Sequence, residues 1–242
     1  MQFTTNAYRQ LLKNLQEQGY VYADYHQYSA YPRCVILRHD IDTDIAQAVR
    51  MAETEAAAGA RSTYFLLLRT DFYNPASAQS LRMLRQIRSL GHELGLHFDE
   101  AAYPPGTAEE TVERILREGE VLSAILEAPV TTVSMHRPSR TTLEADLQIP
   151  GMVNSYGKTF FHDFKYLSDS RRRWREPVDE IIRSGSYDRL HLLTHPFWYH
   201  EAEQTLSQTV SGFVNAANRQ RYAVLADNIT ELDAIMKESE VR

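Results

Sequence analysis

The stretch LRHDID, residues 37–42, carries an apolar segment straight into Arg38, His39, Asp40 and Asp42. Carboxylates this close repel one another and lose hydration unless a cation or a reacting group holds them. The pattern recurs downstream, with His97 and Asp99, His136 and Arg137, Asp169, and finally His195. Carboxylates and imidazoles gathered in one place suit a divalent metal with mixed oxygen and nitrogen ligands; zinc, manganese, cobalt and ferrous iron all fit. A metal with an open position activates water and polarises a carbonyl, while a neighbouring carboxylate serves as base and a histidine as acid. No cysteine cluster, phosphate-cradling glycine loop or GxSxG elbow offers a competing chemistry.

These residues need a scaffold, and the periodicities supply one. Apolar spacing predicts helices over 4–18, 43–58, 77–90 and 107–127. Branched and aromatic runs predict strands over 34–39, 62–68, 92–98 and 130–136. An irregular stretch then extends to about residue 165. Strands over 165–170 and 188–195 and helices at about 177–184, 201–219 and 228–239 complete the chain. Strands alternating with helices imply an α/β fold, a parallel sheet with helices outside it, and this many β–α units favour a closed or partly closed barrel. Every one of these strands but the second ends in an ionisable residue, and in an α/β barrel those ends share the face that holds the active site. No repeat, low-complexity tract or linker marks a boundary, so residues 1–242 read as one domain.

With 242 residues, 43% of them hydrophobic, the chain can bury one large core. A formal net charge of −6 argues against a nucleic-acid surface. The single cysteine, Cys34, cannot form an internal disulfide, which fits a reducing compartment. The first residues lack the apolar core of a signal peptide, and no run of about 18 apolar residues suggests membrane insertion. A cytoplasmic protein is the expectation.

Five motifs in order, LRHDID, STYF, LGHELGLHFD, SMHRPS and LLTHPFW, resemble the polysaccharide deacetylase superfamily of carbohydrate esterases. The resemblance spans residues 34–199. It implies a distorted (β/α) barrel of about seven parallel strands, TIM-barrel-like, and metal-dependent removal of acetyl groups from N-acetylated sugars. Asp40 and Asp42 resemble the pair in which one aspartate is the catalytic base and the other a metal ligand, with Ile41 between them here. We assign Asp40 as base and Asp42 as ligand. His97 resembles the first of two ligand histidines, but Ala101 stands where the second belongs. His136, ending the next strand, is the expected replacement. Arg137 resembles the arginine that orients the catalytic aspartate, and His195 the histidine that acts as general acid. Zinc is the leading metal. The pattern looks like a divergent subgroup acting on surface-polysaccharide precursors, nucleotide- or lipid-linked.

Asp169, Trp174 and Trp198 are the expected substrate contacts. Trp174 lies in SRRRWR (170–175), the one basic run, whose arginines suit an anionic sugar and whose bland alternative is a solvated loop. His92 reads as structural, because it begins a strand rather than ending one. Two rival functions remain: a non-catalytic sugar-binding barrel, suggested by Ala101, and a metal-dependent hydrolase of another amide or ester.

Overall fold

The structure, a computed structural model, describes residues 1–241. The chain forms two compact units, Met1–Glu201 and a second from Ala202 onward. In the first unit the elements run α1 (Thr5–Glu17), β1 (Val21–Ala23), β2 (Cys34–Ile41), α2 (Ile45–Ala57), β3 (Thr63–Leu67), α3 (Ala78–Ser89), β4 (Glu93–Asp99) and α4 (Ala108–Leu126). They continue as β5 (Thr132–His136), α5 (Arg140–Ala145), β6 (Val153–Asn154), α6 (Lys158–His162), β7 (Lys165–Ser168), α7 (Val178–Ser184) and β8 (Arg189–Thr194). The stretch expected to be irregular thus holds α5, β6 and α6, all too short to show a period in sequence. β1 escaped the reading for the same reason.

Every strand pairing is parallel. The order is β6-β5-β4-β3-β2-β8-β7, with β1 attached to β2. β8 lines one edge of β2 over Cys34–His39, while β1 and β3 share the other edge, at Cys34–Ile36 and Arg38–Ile41. The seven-strand path ends at β6 and β7 without closing, so the sheet is a curled half-barrel.

Alternation along β2 separates two environments. Cys34 and Ile36 face inward and cluster with Tyr25, Phe65, Phe160 and Phe164. Val35, Leu37 and Ile41 face outward into the layers that the helices cover. Leu11, Leu12 and Leu15 of α1 are buried there, each contributing about 2 kcal/mol through removal from water. Helix starts are fixed locally: Thr4 caps α1 through the Ala7 amide, and Asp44 caps α2 through the amides of Ala46 and Gln47. Thr107 and Glu110 form a capping box on α4.

A polar hub braces the outward face of β2. Glu55 of α2 accepts hydrogen bonds from Tyr8 (2.5 Å), Ser62 (2.6 Å) and Tyr64 (2.7 Å) and pairs with His39 Nε2 (2.7 Å). His39 Nδ1 reaches Thr194 on β8 at 2.6 Å. His92 lies beside the hub, bonded to Ser62 and to the Ala52 carbonyl, a structural placement as expected. His39 is therefore held one residue from Asp40.

In the second unit, α8 (Leu206–Asn228) is followed by α9 (Leu232–Ile235). Thr205 and Gln208 form a capping box, so the helix starts at 206 rather than 201, and it runs through the gap expected after 219. Tyr222 closes the unit by donating to Asp233 (2.7 Å) and the Met236 carbonyl (2.9 Å). Among the described residues no helix is long and apolar enough to cross a membrane.

Candidate active site

Residues two apart on a strand share a face. On β2 this rule carries Arg38 and Asp40 to the inner face above Ile36, and Asp42 follows just past the strand end. On β4 the inner positions include His97, and on β5 they include Ser134 and His136. The register sets Ser134 beside His97 and His136 beside Asp99.

Asp42, His97 and His136 converge. His97 Nε2 lies 3.1 Å from His136 Nδ1 and 3.3 Å from Asp42 Oδ1, and His136 Nδ1 lies 3.5 Å from the same oxygen. Asp42 Oδ1 is buried and accepts no hydrogen bond among the described residues. Ligand atoms around a tetrahedral ion with bonds of about 2.0–2.1 Å stand about 3.3–3.4 Å apart, so the three edges match those of a metal's coordination face. His97 Nδ1 lies 3.3 Å from the Ser134 carbonyl, which only accepts, so Nδ1 donates there and Nε2 faces the cluster. Burial alone pushes the Asp42 carboxyl upward, but its bonds to His136 and His97 hold it well below the usual carboxylate range. Two imidazole nitrogens and an ionised carboxylate are a donor set suited to zinc.

Asp40 stands beside this face, with Oδ2 3.5 Å from His97 Nε2. Arg38, wholly buried, grips it with Nε on Oδ1 at 2.9 Å and Nη2 on Oδ2 at 2.7 Å, and also donates to Ser134. Burial raises the Asp40 pKa, yet the guanidinium outweighs burial and keeps the group ionised. Arg137, expected to orient this aspartate, does not touch it. Its side chain is 73% exposed and pairs with Asp99 at 3.2 Å. The backbone at Arg137 turns through a positive φ of 46°, so the chain leaves the strand and carries the side chain away from the inner face. Arg38 was the residue that sequence reasoning missed. Its spacing of two from Asp40 was the available signal.

On the opposite side stands His195, just past β8, with Nε2 3.9 Å from Asp42 Oδ2. Asp169 holds it: Oδ1 meets Nδ1 at 2.6 Å, and both carboxylate oxygens accept from the His195 amide at 3.1 Å. Burial pushes the imidazole down, but Asp169 overrides it and raises the pKa to about 9. His195 is therefore protonated at neutral pH.

The expected substrate contacts lie elsewhere. Asp169 is 0% exposed and spends its oxygens on His195, so it cannot meet a sugar. Trp174 and Trp198 pack against the outer cluster that contains Phe3, Tyr8 and Leu11. A cavity of about 370 Å³ opens between the loops that follow β4 and β5, and none of Asp40, Asp42, His97, His136 and His195 lines it. Glu100, Ala101, Tyr103, Thr107, Arg114 and Thr142 are among its lining residues.

No family model and no curated protein matches the chain. Solved structures do. A Streptococcus pyogenes deacetylase, PplD, matches at 15% identity over 58% of this chain and 66% of its own, with a TM-score of 0.46. The wild-type CE4 family pseudoenzyme BA3943 from Bacillus anthracis matches at 16% identity over 78% and 64%, with a TM-score of 0.44. The chitin deacetylase of the fungal pathogen Colletotrichum lindemuthianum matches at 14% identity over 76% and 81%, also at 0.44. The chain is similar to these structures in fold. It spans just under two thirds of the length of the first two of these chains.

Proposed function

We propose that this chain is a divergent polysaccharide deacetylase, a metal-dependent hydrolase that removes an acetyl group from an N-acetylated sugar or surface-polysaccharide precursor in the cytoplasm. The observation that carries the reading is the triangle of Asp42 Oδ1, His97 Nε2 and His136 Nδ1, with an orphaned buried carboxylate oxygen at one corner. These three residues would hold the ion, with zinc the best fit to the donors. When bound, the ion supplies Lewis-acid polarisation of the acyl carbonyl and activation of water.

The remaining residues divide the proton work. Asp40 is ionised and buried beside the ligand face, so it accepts a proton from the attacking water. Arg38 fixes the carboxylate plane through its two parallel bonds. His195 carries a proton at neutral pH and delivers it to the leaving amine as the amide C–N bond breaks. Asp169 orients that imidazole and keeps it charged. The products are acetate and a free amino sugar.

Acetate release should be measured on a panel of N-acetylated sugars and on other acyl amides and esters, before chelation, after it, and after zinc is restored. Turnover confined to the N-acetyl sugars and dependent on metal supports the reading. Turnover only of the other acyl compounds makes the protein a different hydrolase on this fold. Sugar binding that survives chelation, with no turnover under any metal, overturns the enzyme reading in favour of a sugar-binding barrel.

A further inference from the structure

The basic run at 170–175 plays no part in the proton chemistry, yet its placement is tied to the site. Asp169, which holds His195, is followed by Ser170 and then by Arg171 and Arg172. Arg171 therefore lies within about 7.6 Å of Cα path from Asp169. The Arg173 amide folds back onto the Asp169 carbonyl at 3.0 Å. This loop leaves the C-terminal end of β7, on the same face as Asp42, His97 and His136.

Two features separate it from an ordinary solvated loop. Arg171 and Arg172 both adopt positive φ, 61° and 56°. Glycine or asparagine would take that turn at lower cost, so the chain keeps arginine against the local conformational preference. What it keeps is side-chain charge. Secondly, Arg171, Arg173 and Arg175 are exposed and make no ion pair among the described residues. The nearest acids along the chain are both taken, Asp169 by His195 and Glu176 by Lys165, each at 2.6 Å. Arg172 is used differently, stacked over the Phe3 ring at 5.2 Å. Three exposed cations within five residues, without a paired counter-charge in a protein whose net charge is −6, create a local attraction for anions.

We propose that Arg171, Arg173 and Arg175 bind an anionic group, a phosphate or a carboxylate, carried by the sugar that enters the site. Guanidinium groups suit either through their planar fork of donors. The proposal rests on the deacetylase reading for its substrate, but its test does not depend on turnover.

Binding of three probes, N-acetylglucosamine, its 1-phosphate, and N-acetylglucosaminuronic acid, should be measured by calorimetry on the metal-chelated protein. The expected result is that one or both charged probes bind more tightly than the neutral one. The arm that gains identifies phosphate or carboxylate as the recognised group. The triple variant Arg171→Asn, Arg173→Gln, Arg175→Gln should cut that ratio of affinities by at least about tenfold. Asparagine tolerates the positive φ at 171, and the other two side chains are exposed, so circular dichroism and the melting temperature should stay close to the native values. Raising salt about tenfold shrinks the screening length roughly threefold and should narrow the ratio in the native protein but not in the variant. Equal binding of all three probes by the native protein, or an unchanged ratio in the triple variant, overturns the anion site. Absence of acetate release in a separate assay bears on the deacetylase reading alone.

Discussion

Arg38 and Asp40 lie two residues apart on β2 and meet through two parallel hydrogen bonds, 2.9 and 2.7 Å, with both side chains buried. Removing the guanidinium leaves a buried carboxylate without its counter-charge. Arg38→Met should therefore destabilise the fold by about 3–5 kcal/mol, read from urea unfolding. Arg38→Lys keeps the charge without the fork. It should lower kcat at least about tenfold while metal affinity stays within about threefold. Native kcat in Arg38→Lys would show that Asp40 needs no fixed orientation.

The metal face makes a prediction about affinity. His136→Ala should weaken zinc binding by at least about tenfold, and Asp42→Asn by more, because it removes an anionic ligand. His195→Ala should leave affinity nearly unchanged. Calorimetric titration of zinc into the three variants decides the assignment. Wild-type affinity in His136→Ala would remove that residue from the ligand set.

His195 and Asp169 should act as a unit in turnover. His195→Ala should cost about 10²–10⁴ in kcat, the usual worth of a positioned acid. Asp169→Asn should cost less than His195→Ala alone, and the double variant little more than the single one. Full additivity of the two losses would mean that the carboxylate does not act through the imidazole.

The Glu55 hub links pH to stability. Burial raises the Glu55 pKa, but the His39 imidazole bonded to it outweighs burial and lowers the group from 4.5 to about 2. A carboxyl that is more acidic folded than unfolded stabilises the fold above about pH 4.5, and that stabilisation drains away as pH falls toward 2. The contribution is about 3 kcal/mol. Glu55→Gln should lower stability at neutral pH by about that amount and flatten the loss between pH 4.5 and 2. Parallel pH profiles for variant and native protein would contradict this.

Gly95 on β4 faces the Phe65 ring so closely that an added Cβ would sit 2.6 Å from both Phe65 Cε1 and Thr132 Oγ1. Both neighbours are buried, so neither yields freely. Gly95→Ala should cost about 1–3 kcal/mol in urea unfolding. A native midpoint would mean the inner packing is looser than these distances require.

Much of this protein was determined by local pattern. The alternation of CVILRHDI and the helical spacing of Leu11, Leu12 and Leu15 are properties of short windows, so strands, helices and their parallel arrangement follow from sequence. The positions of His97, His136 and His195 at or just past strand ends gathered them at one end of the sheet for the same reason. Tertiary structure decided the partners. Arg38 and not Arg137 holds Asp40, because a positive φ after His136 turns Arg137 outward. Asp169 lies behind His195 because β7 pairs with β8, although α7 and its loops separate them along the chain. Trp174 and Trp198 pack, half-buried, against the outer cluster, which gathers residues distant in sequence such as Phe3, Val35 and Leu190. Secondary structure depends on neighbours in sequence; which charge meets which depends on strand order and register, and these arise from contacts that no short window contains.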